Sequence, residues 1–517
     1  MTNPINCFLL ICYYFFGFTI VNYFLLTVVI SQEVSSDAKI VKINPKSALE
    51  YEEVMDLTSK FQVDVWNRPA DGNQAIWAAI HEDDDDFLDA LGSAGIPFDV
   101  AFENMASYLA LVNFTQPRYD LNSEASGTSR QVRPTFFKRY YRFNEYLAII
   151  KNWAEEFDSM YISSIGKSFE GRSIPVIVIN RSTRLDGFDD NQDDGFEDDS
   201  DSNNNNNNGR PNNWNNQPDD VNGFERTREN GYRSSTRRPS NRDNYGDCSN
   251  CDGRDRSGES CKTVIIECGL HAREWASPAS CLYLIYFLAT TEIPIFRRYE
   301  YHIIPIANPD GYVFTWSRVR GARLWRKNRS RRTGSNCIGV DLNRNFNIDW
   351  CQTGSSRNPC KENYCGPKPA SEPETRALVN YYRRLGEGAD ECIALYFTIH
   401  SYGQWILWPN GFSRTPPKNS EFLEAVGHEA INRLNRHIGR RAYRGGQTAQ
   451  AYKYASSGGS DDWIYNRGLA EISITFESRD NGQYGFLLPP EQIIPTAEDA
   501  KIAIQAILEK RESIRRN

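Results

Sequence analysis

Four residues able to hold a metal or move a proton stand at matching places in the sequence. His271 and Glu274 closely follow the apolar run Val264–Ile266, His400 directly follows Leu395–Ile399, and Glu477 directly follows Ile472–Phe476. Sites in open α/β sheets gather outside the carboxyl ends of the strands, so side chains at such ends can converge. In Cys268-Gly269-Leu270-His271-Ala272-Arg273-Glu274-Trp275, an imidazole and a carboxylate sit three residues apart on one tight turn. With the distant His400 they supply two nitrogens and one carboxylate, a catalytic zinc set that leaves a coordination position for water. A His-x-x-Glu pair alone reads as an ordinary polar turn. The chain has only six histidines, and two of them at strand ends give the pair its weight.

Positioning these groups requires a sheet. The apolar runs Val176–Ile179, Val264–Ile266, Ile303–Ala307, Leu395–Ile399 and Ile472–Phe476 read as buried strands, with the helical stretches Pro278–Ala289, Glu374–Arg384 and Glu421–His437 among them. Phe143, Leu147, Ile150 and Phe157 make one apolar helix face. The alternation predicts an α/β domain over 136–510, a mixed, mostly parallel twisted sheet flanked by helices. In front of it, 38–112 reads as a small α+β unit. Val54, Leu57 and Phe61 fall at helical spacing, Val63–Trp66 is a short strand, Phe87–Leu91 a second helix and Phe98–Phe102 a strand. The acidic run Glu82–Asp86 suits a solvated loop or helix start.

Composition narrows the class. The 517 residues suggest about three folding units. With 40% apolar residues and a mean hydropathy of −0.60 the chain is of soluble globular type, which excludes a multi-span transporter. A net charge of −8 opposes a nucleic-acid binder. Phe8–Ile30 is the one stretch apolar enough to span a bilayer. We read 1–31 as an export signal, with cleavage sites at Val29-Ile30-Ser31 or Val34-Ser35-Ser36, or as an uncleaved signal anchor. Secretion is therefore expected, with membrane anchoring as the alternative. The sequons at Asn113, Asn180 and Asn328 are compatible with export and add little to it. Residues 113–135 form a polar linker open to proteolysis, with Arg130 the expected cut because Arg133 precedes Pro134. Residues 186–260 read as a disordered insertion: nine acids from Asp186 to Asp201, the tract Asn203–Asn208, then eight arginines from Arg226 to Arg256.

The ordered motifs resemble a family. Beside the His271 motif stand Asn308-Pro309-Asp310-Gly311, Leu324-Trp325-Arg326-Lys327, Gly339-Val340-Asp341-Leu342-Asn343-Arg344-Asn345, Ile399-His400-Ser401-Tyr402, Gly458-Gly459-Ser460-Asp461-Asp462-Trp463 and Thr475-Phe476-Glu477-Ser478-Arg479-Asp480. Together they resemble the zinc metallocarboxypeptidases of the pancreatic A/B family, made as zymogens, from about Ser47 to Leu508 except for the insertion. The resemblance implies that the first unit is an inhibitory propeptide, an antiparallel sheet with two helices. It implies one zinc ion on His271, Glu274 and His400, with Asp341 fixing the ring of His271. Glu477 would be the general base, and Arg326 would stabilise the developing oxyanion. Asn343 and Arg344 would grip the terminal carboxylate, Tyr454 or its neighbour Tyr452 would close over the substrate, and Arg273 would line an adjacent subsite or serve as a structural salt-bridge arginine.

Asp461 falls at the base of the family's pocket for the last side chain, where an acid resembles the B type; the wall counterparts Gly411 and Ala449 are small. C-terminal Lys or Arg is the expected preference, unless Asp461 turns to solvent or pairs with an arginine. Disulfides Cys268–Cys281, Cys337–Cys360 and Cys351–Cys365 are implied, while Cys248, Cys251, Cys261 and Cys392 have no assigned counterpart. Leu469-Ala470-Glu471-Ile472-Ser473 is one residue longer than the family's usual segment, and a slip carried into the strand would turn Glu477 to the wrong face. The partners implied are peptide or protein C-termini and an activating trypsin-like protease, acting on a monomer. The alternatives are a catalytically weak extracellular binding relative, an A-like preference for apolar C-terminal residues, or an insertion that acts as a partner- or matrix-binding arm.

Overall fold

The computed structural model describes residues 38–67, 75–81, 84–105, 107–108, 136–180, 261–387 and 392–516. The export segment 1–31, the linker 113–135 and the insertion 186–260, with Cys248 and Cys251, lie outside the described residues.

The first unit comprises β1 (Lys39–Ile43), α1 (Ala48–Phe61), β2 (Asp64–Val65), β3 (Ile76–Ile80), α2 (Asp85–Ser93) and β4 (Phe98–Phe102). Its antiparallel sheet has the order β2-β3-β1-β4. Ser47 starts α1 by accepting a hydrogen bond from the Glu50 amide at 3.1 Å, and the left-handed Gln62 (φ 56°) stops it. The buried stripe of α1 is Tyr51, Val54, Met55 and Thr58, whereas Leu57 and Phe61 are only partly buried. The expected face is thus the one that packs, with Val54 at its centre and Leu57 and Phe61 at its margin. The acids Asp85 and Asp86 open α2, where negative charge suits the helix start.

The second unit follows with α3 (Phe143–Glu156), β5 (Met160–Lys167), β6 (Ser173–Ile179), β7 (Thr263–Cys268), α4 (Ala276–Thr290), β8 (Glu300–Ile304), α5 (Pro309–Thr315), α6 (Pro373–Glu387), β9 (Ile393–His400), β10 (Trp405–Trp408), α7 (Ser420–Ile438), β11 (Arg444–Gln447), α8 (Ser460–Asn466), β12 (Ala470–Glu477) and α9 (Ile493–Arg516). Eight strands form one sheet in the order β11-β10-β12-β9-β7-β8-β6-β5. The β12/β9, β9/β7, β7/β8 and β10/β11 pairs are parallel and the remaining three antiparallel. Because side chains alternate along a strand, Val264 and Ile266 join the core covered by α3, α4, α7 and α9, while Ile265 joins the opposite core under α6 and α8. Both faces of the central strands are covered, which is why they read as unbroken apolar runs.

Several elements were not anticipated. Strands β1, β3, β5, β10 and β11 lie outside the predicted runs: β5 and β11 are only partly buried, and β1, β3 and β10 are only four or five residues long. Helix α9 runs to Arg516, past the expected end at 510, and its apolar residues are interleaved with acids and lysines. Among the described residues no helix is long and apolar enough to cross a membrane. Asn328 is fully buried, and its amide donates to Glu372 at 2.9 Å and Glu374 at 3.0 Å, so that sequon is a structural polar link.

Candidate active site

The central parallel strands end at one edge of the sheet, and the chemistry gathers there. After β7 the chain turns sharply at Gly269 (φ +66°); a Cβ there would meet Pro278 Cγ at 3.1 Å and the Ile306 Cα at 3.2 Å. That turn delivers His271 and Glu274 to the cleft, and the Cys268–Cys281 disulfide ties its root to α4.

His271 Nδ1 lies 2.8 Å from Glu274 Oε1, and His400 Nδ1 lies 3.0 Å from Glu274 Oε2 and 3.2 Å from His271 Nδ1. All three residues are buried, and their ligand atoms lie within 4.8 Å of one another. Two imidazole nitrogens and a carboxylate facing one point fit a zinc ion: nitrogen and oxygen donors in this number are its catalytic set. The remaining nitrogen of His271, Nε2, lies 3.1 Å from Asp341 Oδ1, which fixes the ring. The other oxygen of Asp341 accepts from Arg326 Nε and Nη2 at 3.1 and 2.9 Å. Burial works against the charge on Asp341, but Arg326 and His271 outweigh it and hold the carboxyl well below the usual range. Arg326 is thereby clamped, with Nη1 3.9 Å from Glu274 Oε1.

Glu477 closes β12 directly opposite His400 of β9 and Trp405 of β10. The pairing of β12 with β9 keeps one offset from Ala470 to Glu477, so the longer segment does not displace the carboxylate, which lines the cleft. The Tyr452 hydroxyl donates to Glu477 Oε1 at 3.4 Å, while Tyr454 lines the cleft beside Gly354. Both tyrosines left open by the sequence therefore line the cleft.

Asn343 and Arg344 form a 3-10 turn after Asp341, and both line the cleft. Arg344 is oriented by the carbonyl oxygens of Gly354 and Asn343 at 3.1 and 2.7 Å. Asn343 Oδ1 accepts from the Ser460 amide at 2.9 Å, which joins the turn to the start of α8. The next residue, Asp461, is buried in the cleft wall, and its Oδ2 accepts from Thr475 Oγ1 at 3.0 Å. Asp462 accepts from the amides of Gly411 and Phe412, and burial together with the charge of Asp461 pushes its carboxyl well above the usual range. Space at Gly411 is tight, since a Cβ would come within 3.1 Å of Asp462 Oδ2.

The first unit sits over this cleft, and its Val65, Trp66 and Asn67 are part of the lining. Arg273 lines the cleft and also gives two nitrogens to Asp64 at 2.8 Å each, so it makes the salt bridge that was its alternative reading. Trp66 packs on Phe486 with ring centroids 5.9 Å apart, and Glu52 and Asp84 meet Lys453 and Lys361. The implied disulfides Cys337–Cys360 and Cys351–Cys365 are present. Cys261 and Cys392, which the sequence left unassigned, also pair, with Cα atoms 5.0 Å apart.

A family model described as zinc carboxypeptidase matches residues 146–503. The chain belongs to the zinc carboxypeptidase family. Within this family it is 40% identical over 259 residues to carboxypeptidase B of Homo sapiens, covering 49% of this chain and 60% of that protein. It is 43% identical over 251 residues to carboxypeptidase B of Rattus norvegicus, covering 47% and 58%. The chain thus spans about three fifths of the length of these relatives. The solved structure titled thrombin activatable fibrinolysis inhibitor is similar with a TM-score of 0.60 and 26% identity, over 91% of this chain and 98% of that one. The carboxypeptidase A of Helicoverpa armigera, at 23% identity, shares the fold with a TM-score of 0.66 over 94% and 100%.

Three features of this chain escaped the sequence reading. Asp64 lay inside a short predicted strand, and nothing marked it as the partner of Arg273. The Cys261–Cys392 pair is separated by 131 residues and has no spacing signature. Glu267 lies just past the run Val264–Ile266; a carboxylate inside a buried strand was the available signal.

Proposed function

We propose that the chain is a secreted, monomeric zinc carboxypeptidase made as a zymogen, which removes C-terminal Lys or Arg from peptides once a trypsin-like protease has cut the linker. The observation that carries this reading is the convergence of His271, Glu274 and His400 in one cleft with Glu477 and Asp461. Zinc held by the three donors supplies Lewis acidity for a carbonyl and lowers the pKa of water. Glu477, half-buried at the strand end, takes the proton from the attacking water and passes it to the leaving amine. Arg326, clamped by Asp341, places a fixed charge beside the developing oxyanion. Asn343 and Arg344 take the terminal carboxylate, which restricts cleavage to the last bond. Asp461 supplies the anion for a basic side chain in a wall kept open by Gly411 and Ala449.

The first unit acts as the inhibitory propeptide: Asp64 neutralises Arg273, and Trp66 covers the apolar ground around Phe486. The test is limited trypsin treatment of the purified protein, then assay on peptides ending in Arg, Lys, Phe or Leu, with and without a zinc chelator. The reading expects activity on Arg and Lys that appears on cleavage and disappears with the chelator. Activity on Phe alone overturns the basic preference, and no activity on any peptide favours a silent relative.

A further inference from the structure

Glu267 lies on β7 and is fully buried. Three neutral hydroxyls hold it: Tyr382 donates to Oε2 at 2.5 Å, and Thr398 and Ser460 donate to Oε1 at 3.0 and 3.3 Å. Among the described residues no cation lies within ion-pairing distance of it. A buried carboxylate without a paired cation is costly, and here the hydroxyl hydrogen bonds offset part of that cost while leaving its charge uncompensated by any counterion.

Strand register shows which neighbours stand close to that charge. Glu267 pairs with Thr398 across β7/β9, and Thr398 pairs with Thr475 across β9/β12. Alternation places the three side chains in one row on one face of the sheet, with neighbouring strands about 4.8 Å apart. Thr475 holds the Asp461 carboxylate, and Ser460, bonded to Glu267, is the residue before Asp461. Ser460 also receives the Tyr396 hydroxyl at 2.8 Å, so the start of α8 is anchored onto this row from two strands.

We propose that Glu267 is a further specificity-determining residue: a buried anion behind the pocket floored by Asp461, whose charge favours a cationic C-terminal side chain. This rests on the basic preference proposed above. At this separation in a largely dry interior, a unit charge is still felt by a ligand cation, which contacts Asp461 and needs no contact with Glu267. The hydroxyl partners can rotate to accept as well as donate, so Glu267→Gln removes the charge while keeping the bonds.

The test measures kcat/KM of the trypsin-treated full-length protein for matched peptides ending in Arg and in Phe, for the unsubstituted protein and for Glu267→Gln and Glu267→Asp. Thermal midpoint and zinc content are recorded alongside. The Arg-over-Phe ratio is expected to fall about 3- to 10-fold in Glu267→Gln, through KM for the Arg peptide, with zinc content unchanged. Glu267→Asp, which keeps the charge, is expected to hold the ratio within about twofold. An unchanged ratio in Glu267→Gln, or an equal loss on both peptides, overturns the inference and leaves Asp461 specificity standing. If Glu267→Gln does not fold, a lost ratio in Glu267→Asp overturns it and a retained ratio supports it. If the unsubstituted protein does not prefer Arg, the basic reading fails first and this inference falls with it.

Discussion

Arg273 and Asp64 form a two-bond ion pair, 2.8 Å in each contact, with side chains only 3% and 9% exposed. The pair crosses from the first unit to the turn that carries His271 and Glu274, two of the three candidate metal donors, so that unit and the cleft are electrostatically linked.

Docking should therefore depend on acid. Burial raises the Asp64 carboxyl, but the charge and hydrogen bonds of Arg273 outweigh it and hold the pKa at about 2, below the ordinary 3.8 of an aspartate. A depressed carboxylate stabilises the docked form above its free value, and that contribution is lost as pH falls from about 4 toward 2. Its size is of order 2 kcal/mol. Inhibition of the cleaved enzyme by the separated first unit should be strong at neutral pH and weaken through this window. Asp64→Asn should weaken it at neutral pH by at least tenfold in inhibition constant.

Metal retention should depend on Asp341 as well as on the donors. Asp341→Asn replaces an acceptor shared by His271 and Arg326. Zinc affinity is expected to drop about 10- to 100-fold, measured by competition with a chromophoric chelator. His271→Ala should lose zinc outright.

Glu477→Gln should separate binding from chemistry. The expected result is a fall in kcat of about 10²- to 10⁴-fold with zinc content and KM nearly unchanged. A large rise in KM with kcat preserved would place Glu477 in substrate binding instead.

Asp461→Ile should reverse the preference among C-terminal residues. Removing the buried anion is expected to lower kcat/KM for Arg peptides by about 10²-fold or more and to raise it for Leu and Phe. Thr475 then lacks its acceptor, so a modest loss of thermal stability should accompany the change.

The Cys261–Cys392 bridge closes a 131-residue separation between the edge of β7 and the approach to β9. Replacing both cysteines by Ser should cost about 2–4 kcal/mol of stability, seen as a lower denaturation midpoint, with peptidase activity at 25 °C retained.

The convergence of His271, Glu274, His400 and Glu477 on one cleft was legible because each follows a run that is apolar on both faces, and a strand end in such a sheet points to the site. The central strands and the helices α4, α6 and α7 were legible for the same reason, since burial imposes periodicity. Strands β5 and β11 and helix α9 were not, because part-buried elements carry mixed patterns, and β10, though buried, is only four residues long.

By itself, the sequence determined which side chains could do chemistry, the α/β class and the order of its main elements, since these depend on residue type and local spacing. Only the tertiary structure decided the partners: Asp64 on Arg273, Arg326 on Asp341, Tyr452 at Glu477, Cys261 with Cys392 and Ser460 on Glu267. Each of these joins residues remote in sequence or on different elements. Strand register and chain crossover set such contacts, and local composition carries no record of them.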